Sequence, residues 1–139
     1  MNTVPLPLER CEKISDLCGT ILSSNKNILM VAAVNKLGRL IGIKHRDESV
    51  KIELTDKELE ILFMQSMLQY SMLRDFDNKF GISKYLLVER ETLSEFVFPL
   101  VEGIIIVLCN INTQEQVLAR KLSKTVNEFV LWSEAEKLK

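Results

Sequence analysis

The apolar positions fall into eight runs whose spacing changes from one to the next. Leu8, Cys11, Ile14, Leu17, Cys18, Ile21 and Leu22 recur every three or four residues with charges between them. That spacing predicts an amphipathic helix to about Ser23, closed by Ser23-Ser24-Asn25-Lys26-Asn27. Ile28 to Val34 is apolar at every position and predicts a strand covered on both faces. Asn35-Lys36-Leu37-Gly38 reads as a turn, with asparagine first and glycine fourth, and Arg39 to Ile43 as the returning strand. Residues 44–51 are mostly charged and read as a solvated loop.

Thr55-Asp56-Lys57-Glu58 is a capping box: the threonine oxygen accepts a free backbone amide and the glutamate reaches back. It opens a helix over 56–79, with Gly81 as a left-handed stop just beyond. Residues 84–89 and 95–100 then read as strands, the second with Phe96 and Phe98 on one face. Glu102-Gly103 turns the chain into a second fully apolar strand, 104–109. A second capping box, Thr113 to Gln116, opens a last helix with Val117, Leu118, Leu122, Val126, Phe129 and Val130 as its stripe. Trp132 lies off that stripe, and Glu134 to Lys139 is expected to fray.

The order helix, two strands, helix, three strands, helix predicts an α+β fold in a single domain. Strands 28–34 and 104–109 belong at the centre of one antiparallel sheet. Because neighbours in sequence usually pair, the five strands should lie in the order 2-1-5-4-3. The domain is expected to span 8–131, with 1–7 and 132–139 as terminal extensions.

Two features of this arrangement are hard for one chain to satisfy. Strand 84–89 falls at the sheet edge, and its Tyr85, Leu86, Leu87 and Val88 are apolar on both faces; soluble proteins normally hide such an edge. Helix 56–79, at about 100° per residue, is apolar on two sides. Leu59, Leu62, Phe63, Tyr70 and Leu73 form one side, and Ile61, Met64, Leu68, Met72 and Phe76 the other, with no charge from Ile61 to Leu73. A helix apolar on two sides is covered twice. The second cover is either the first or last helix of the same chain or a second copy. Met64, Met67 and Met72 suit a partner surface, although methionine is equally common as core filler. A symmetric dimer through the edge strand and the outer stripe answers both problems, with Ile61, Met64, Leu68, Met72, Phe76, Tyr85, Leu86, Leu87 and Val88 at its interface.

Composition narrows the function. In 139 residues, 47% are apolar and 27% charged, ordinary for a soluble globular domain. Eighteen basic residues against nineteen acidic ones leave no excess to neutralise phosphates, so nucleic-acid binding is not expected. No apolar run approaches the roughly 20 residues that span a bilayer, and the first residues do not read as a signal peptide, so a cytoplasmic location without membrane contact is expected. The three cysteines, Cys11, Cys18 and Cys109, read as reduced thiols in the core.

Sequence signs of catalysis are missing. The five glycines are scattered and form no phosphate loop. The one histidine, His45, falls in the charged loop and cannot build a zinc site alone. Asp75 and Asp77 offer paired carboxylates, but between Arg74 and Lys79 they read as a solvated helix end. We therefore expect no catalytic, cofactor-binding or metal-binding residues, and not an enzyme.

The order of elements, with the hairpin Val31-Ala32-Ala33-Val34-Asn35-Lys36-Leu37-Gly38-Arg39-Leu40-Ile41, resembles the roadblock/LC7 (longin-like, profilin-like) fold. Leu62-Phe63-Met64-Gln65, Arg74 to Gly81, and Arg90-Glu91 leading to Phe98-Pro99-Leu100 are in addition similar to a family of short proteins of ammonia-oxidising archaea. The roadblock resemblance implies dimerisation through the long helix and third strand, and partners among Ras-like small GTPases or motor and scaffold complexes. A second reading, from the shared central strand order, is a PAS-like or profilin-like sensor with a small ligand held near Cys109, Phe96 or Met30.

Overall fold

The computed structural model describes residues 6–46, 52–111 and 114–137. The chain runs α1 (Leu8–Ser24), β1 (Ile28–Asn35), β2 (Leu40–His45), α2 (Asp56–Leu73), a 3-10 turn (Arg74–Phe76), α3 (Asp77–Phe80), β3 (Leu86–Glu89), β4 (Leu93–Leu100), β5 (Gly103–Asn110) and α4 (Glu115–Lys137). The five strands form one antiparallel sheet in the order β2-β1-β5-β4-β3, as their sequence pattern requires. β1 and β5 occupy the centre because every side chain from Ile28 to Val34 and from Ile104 to Cys109 is buried, which only a strand covered on both faces allows.

Alternation along the strands divides the core in two. One face carries Val31, Ala33, Phe96, Phe98, Ile105 and Val107 and packs with Ile14, Cys18 and Ile21 of α1 and Leu118, Leu122 and Val126 of α4. The other carries Met30, Ala32, Val34, Val97, Ile104 and Ile106 and receives α2 through Phe63, Met67 and Tyr70.

The turn between β1 and β2 is held as its residues suggest. Asn35 Oδ1 accepts from the amides of Leu37 (2.9 Å) and Arg39 (3.0 Å), and Gly38 takes φ +80°. A Cβ on Gly38 would lie 2.9 Å from Met64 Cα, so the bare glycine lets this turn press directly on α2.

Several boundaries differ from the sequence reading. The helix expected over 56–79 ends at Leu73 and tightens into the 3-10 turn before α3. Asp75, Phe76, Asp77 and Asn78 are poor helix formers, and 3-10 geometry is the common way a helix end tightens. Gly81 has the positive φ expected of a stop (+84°), but its ψ of 170° sends the chain out extended. Lys44 and His45 belong to β2 and not to the charged loop; residues 47–51 of that loop, and Thr113 of the second capping box, lie outside the described residues. Lys84 and Tyr85 precede β3, while β4 begins two residues earlier than expected, at Leu93.

Fraying was expected from Glu134, but α4 continues as helix to Lys137, the last described residue. Arg10 explains why. Its guanidinium clasps Glu102 (2.5 and 3.0 Å), donates to Ser133 Oγ (2.6 Å) and covers the Phe129 ring at 4.8 Å. Lys13 lies over the off-stripe Trp132 at 4.7 Å. These contacts tie the last turns of α4 to the start of α1.

Candidate interaction surface

α2 begins at the capping box read from the sequence. Glu58 N donates to Thr55 Oγ1 (3.1 Å) and Thr55 N to Glu58 Oε1 (3.0 Å). The Thr55 amide, and after it the Thr55 hydroxyl, hold the Glu58 carboxyl below its usual pKa. From there the helix crosses the sheet with one apolar side down. Phe63 and Tyr70 are buried as expected, and Leu59 and Leu62 are half-buried beside them. Met67, grouped above with the partner-facing methionines, instead points into the sheet; it falls three and four residues from Tyr70 and Phe63. Leu73, expected on the sheet side, is exposed where the helix runs off its support.

The opposite side of α2 is uncovered. Ile61 (46%), Met64 (58%), Leu68 (64%), Met72 (61%) and Phe76 (57%) retain about half their surface. The first alternative, a cover supplied by the chain's own first or last helix, does not hold. α1 and α4 both pack on the far face of the sheet. The ridge also runs further than the sequence reading took it. Phe80 (83% exposed) stacks on Phe76 with ring centroids 5.6 Å apart, and Ile82 (77% exposed) follows. The signal was present: Met72, Phe76 and Phe80 continue the same step of four.

β3 forms one edge of the sheet. Leu86, Leu87 and Val88 are half-buried and Glu89 is exposed, Leu86 packing with the α2 core and Leu87, like Tyr85 just before the strand, with the other. The Arg90 amide donates to Leu93 O (2.9 Å), which sets the alternation of the ladder. Leu86 and Val88 therefore bond inward to β4, and the backbone groups of Leu87 and Glu89 point out from the edge. Of the nine expected interface residues, Ile61, Met64, Leu68, Met72 and Phe76 thus lie along one exposed ridge, Leu86, Leu87 and Val88 lie in the edge strand and Tyr85 precedes it, with Tyr85 and Leu87 turned to the α1–α4 face of the sheet.

Open grooves flank α2. One, of about 540 Å³, lies toward the β3–β4 hairpin between Ile61, Leu62 and Gln65 of α2 and Leu93 and Glu95 of β4. The other, of about 620 Å³, lies along β2 between Leu40, Ile43 and His45 and the helix residues Leu59 and Met64. Neither contains Met30, Phe96 or Cys109. Those three are fully buried, Met30 on one sheet face and Phe96 and Cys109 on the other, so they cannot line a common pocket and the sensor reading loses its site.

Other candidates are structural. Asp77 Oδ2 faces Arg74 Nε at 3.8 Å across the helix break. Cys18 and Cys109 are buried in the core of α1, α4 and the sheet, and burial pushes their thiols up to about 12 and about 11. Among the described residues no three His, Cys, Asp or Glu side chains are grouped to hold a metal ion, and no helix is long and apolar enough to cross a membrane.

No protein-family model matches the chain, and no curated protein matches it. Solved structures do. MglB of Myxococcus xanthus superposes with a TM-score of 0.70 over 95% of this chain and 96% of its own, at 15% identity. The gliding protein MglB of Thermus thermophilus gives 0.68 over 94% and 97%, at 9% identity. A Roadblock/LC7 domain from Streptomyces avermitilis gives 0.61 over 84% and 97%, at 15% identity. The chain has the Roadblock/LC7 fold.

Proposed function

We propose that this protein is a non-enzymatic homodimeric interaction module of the Roadblock/LC7 type, a scaffold or regulator of a Ras-like small GTPase working in the cytoplasm. The observation that carries this reading is the bare side of α2, five large apolar side chains that stay exposed among the described residues. Ten such half-exposed side chains in two copies offer on the order of 10 kcal/mol. Association costs about 4–15 kcal/mol, so the unpaired β3 edge contributes to deciding whether the pair holds. The GTPase rests on what the Roadblock/LC7 fold implies, and fold alone does not name a partner.

The first experiment is sedimentation or light scattering at tens of micromolar, where a dimer is expected. Leu68→Glu places a charge at the most exposed of the five side chains on the bare side of α2 and is expected to give a folded monomer. A monomeric native protein, or a Leu68→Glu variant that dimerises as before, contradicts the reading. For the partner, a native pull-down from the source cells, with the captured GTPases identified by mass spectrometry, is expected to lose them with Leu68→Glu. Capture of no GTPase removes that half of the proposal and leaves the dimer.

A further inference from the structure

The residues beyond α2 are the most exposed apolar surface near the ridge. Phe80 and Ile82 keep 83% and 77% of their surface, on a segment whose only charges from Lys79 to Lys84 are those two lysines. The groove toward the β3–β4 hairpin has the opposite character. Leu54, Ile61, Leu62 and Leu93 make its walls, and Glu53, Glu58 and Glu95 outnumber Arg90, which is itself paired to Glu95 at 3.3 Å. A cationic apolar segment and an acidic apolar groove thus stand at opposite ends of α2.

One molecule cannot bring them together, but symmetry can. If two copies join through β3 with both α2 helices on the same face, the two-fold axis is normal to the sheet and the two β3 strands run antiparallel. The start of β3 in one copy then lies against the end of β3 in the other. The segment leading into Leu86 arrives beside Arg90, where the hairpin groove opens. The groove floor on β4 is two strand spacings from the partner's β3, about 10 Å, a span that the four residues from Ile82 to Leu86, at up to about 3.3 Å each, can cross.

We infer that Phe80 and Ile82 of each copy fill the hairpin groove of the other, with Lys79 and Lys84 facing its glutamates, so that the dimer is clasped at two symmetric points beyond the helix ridge. This rests on the homodimer proposed above, and the test separates the two. Ile82→Cys in one population and Leu54→Cys in another, both with Cys11→Ser, are mixed and oxidised. The expected result is a disulfide-linked heterodimer on a non-reducing gel, formed faster than with a Leu131→Cys control on the outer side of α4. In parallel, Phe80→Ser, at a site too exposed to threaten the fold, is expected to raise the dissociation constant about tenfold. A dimer that gives no excess disulfide, or that Phe80→Ser leaves unchanged, overturns the clasp alone and leaves the patch open to some other protein. A native monomer overturns the clasp and the homodimer together.

Discussion

At the scale of single residues, burial decides what each polar group does. Arg46 sits in a run so rich in charge that its sequence reads as solvent, yet its Nε donates to Ile28 O (2.7 Å) and its Nη2 to Leu22 O and Asn25 O. It therefore satisfies carbonyls at the open end of α1, where helix carbonyls have no partners of their own. Nothing local reveals this, because the acceptors lie 18 to 24 residues earlier. Arg46→Met keeps the stem and removes the donors, and is expected to cost about 1.5–3 kcal/mol by urea denaturation; no change would mean that water replaces the guanidinium. Cys18 and Cys109 were legible as core residues, whereas Cys11, expected with them, is only half-buried, and the pH behaviour of the two buried thiols follows. Their folded values, about 12 for Cys18 and about 11 for Cys109, lie above the unfolded value of 9.0. Folding holds the proton, so nothing is lost below about pH 9, and stability falls between about pH 9 and 12 as the unfolded thiols ionise. Each contributes a loss of up to about 1.4 kcal/mol per pH unit. Cys18→Ala is expected to flatten that fall in denaturant titrations between pH 8.5 and 11, and an unchanged slope would contradict the assignment.

At the scale of elements, legibility followed periodicity. β1 and β5 could be placed at the sheet centre because an unbroken apolar run fits little else, and sequential pairing then ordered the remaining strands. The ends of elements were less readable where tertiary contacts set them. α4 outlasts its own stripe because Arg10 holds Ser133. The two-sided character of α2 was legible, and the step of four from Met72 through Phe76 reaches Phe80, but Phe80 and Ile82 fall past the helix end expected at Lys79 and so were not counted in the ridge. β3 itself allows a test that spares the core. Leu87 is a poor probe, since it packs inward with the α1–α4 core. Glu89 is exposed and its amide points away from β4, so Glu89→Pro removes an outward donor without breaking the ladder. This variant is expected to keep the native circular dichroism and to dissociate at higher concentration than the unaltered protein. Equal dimerisation would show that the edge takes no part.

At the scale of the whole molecule, the fold divides its labour between two sheet faces. The face carrying α1 and α4 is closed by two helices and pinned by Arg10, Glu102 and Ser133, and it holds both buried thiols. The face carrying α2 has one helix over a five-stranded sheet, with a groove on either side and an apolar ridge on top. Such a face is complete only when something else closes it, so part of the stability of this protein should depend on its concentration. A ligand that binds only the folded state stabilises it by RT ln(1 + [L]/Kd), and in a homodimer the ligand is the protein itself. Raising the concentration a hundredfold across the dissociation constant is therefore worth up to about 2.7 kcal/mol, which for a domain of this size corresponds to a rise in Tm of roughly 5–10 °C. Thermal scans from about 1 to 100 µM are expected to show that rise for the unaltered chain. Leu68→Glu, which leaves the closed face untouched, is expected to melt at one temperature throughout. If both melt independently of concentration, the bare side of α2 is borne by the monomer alone, and its exposure has to be explained by a partner of a different kind.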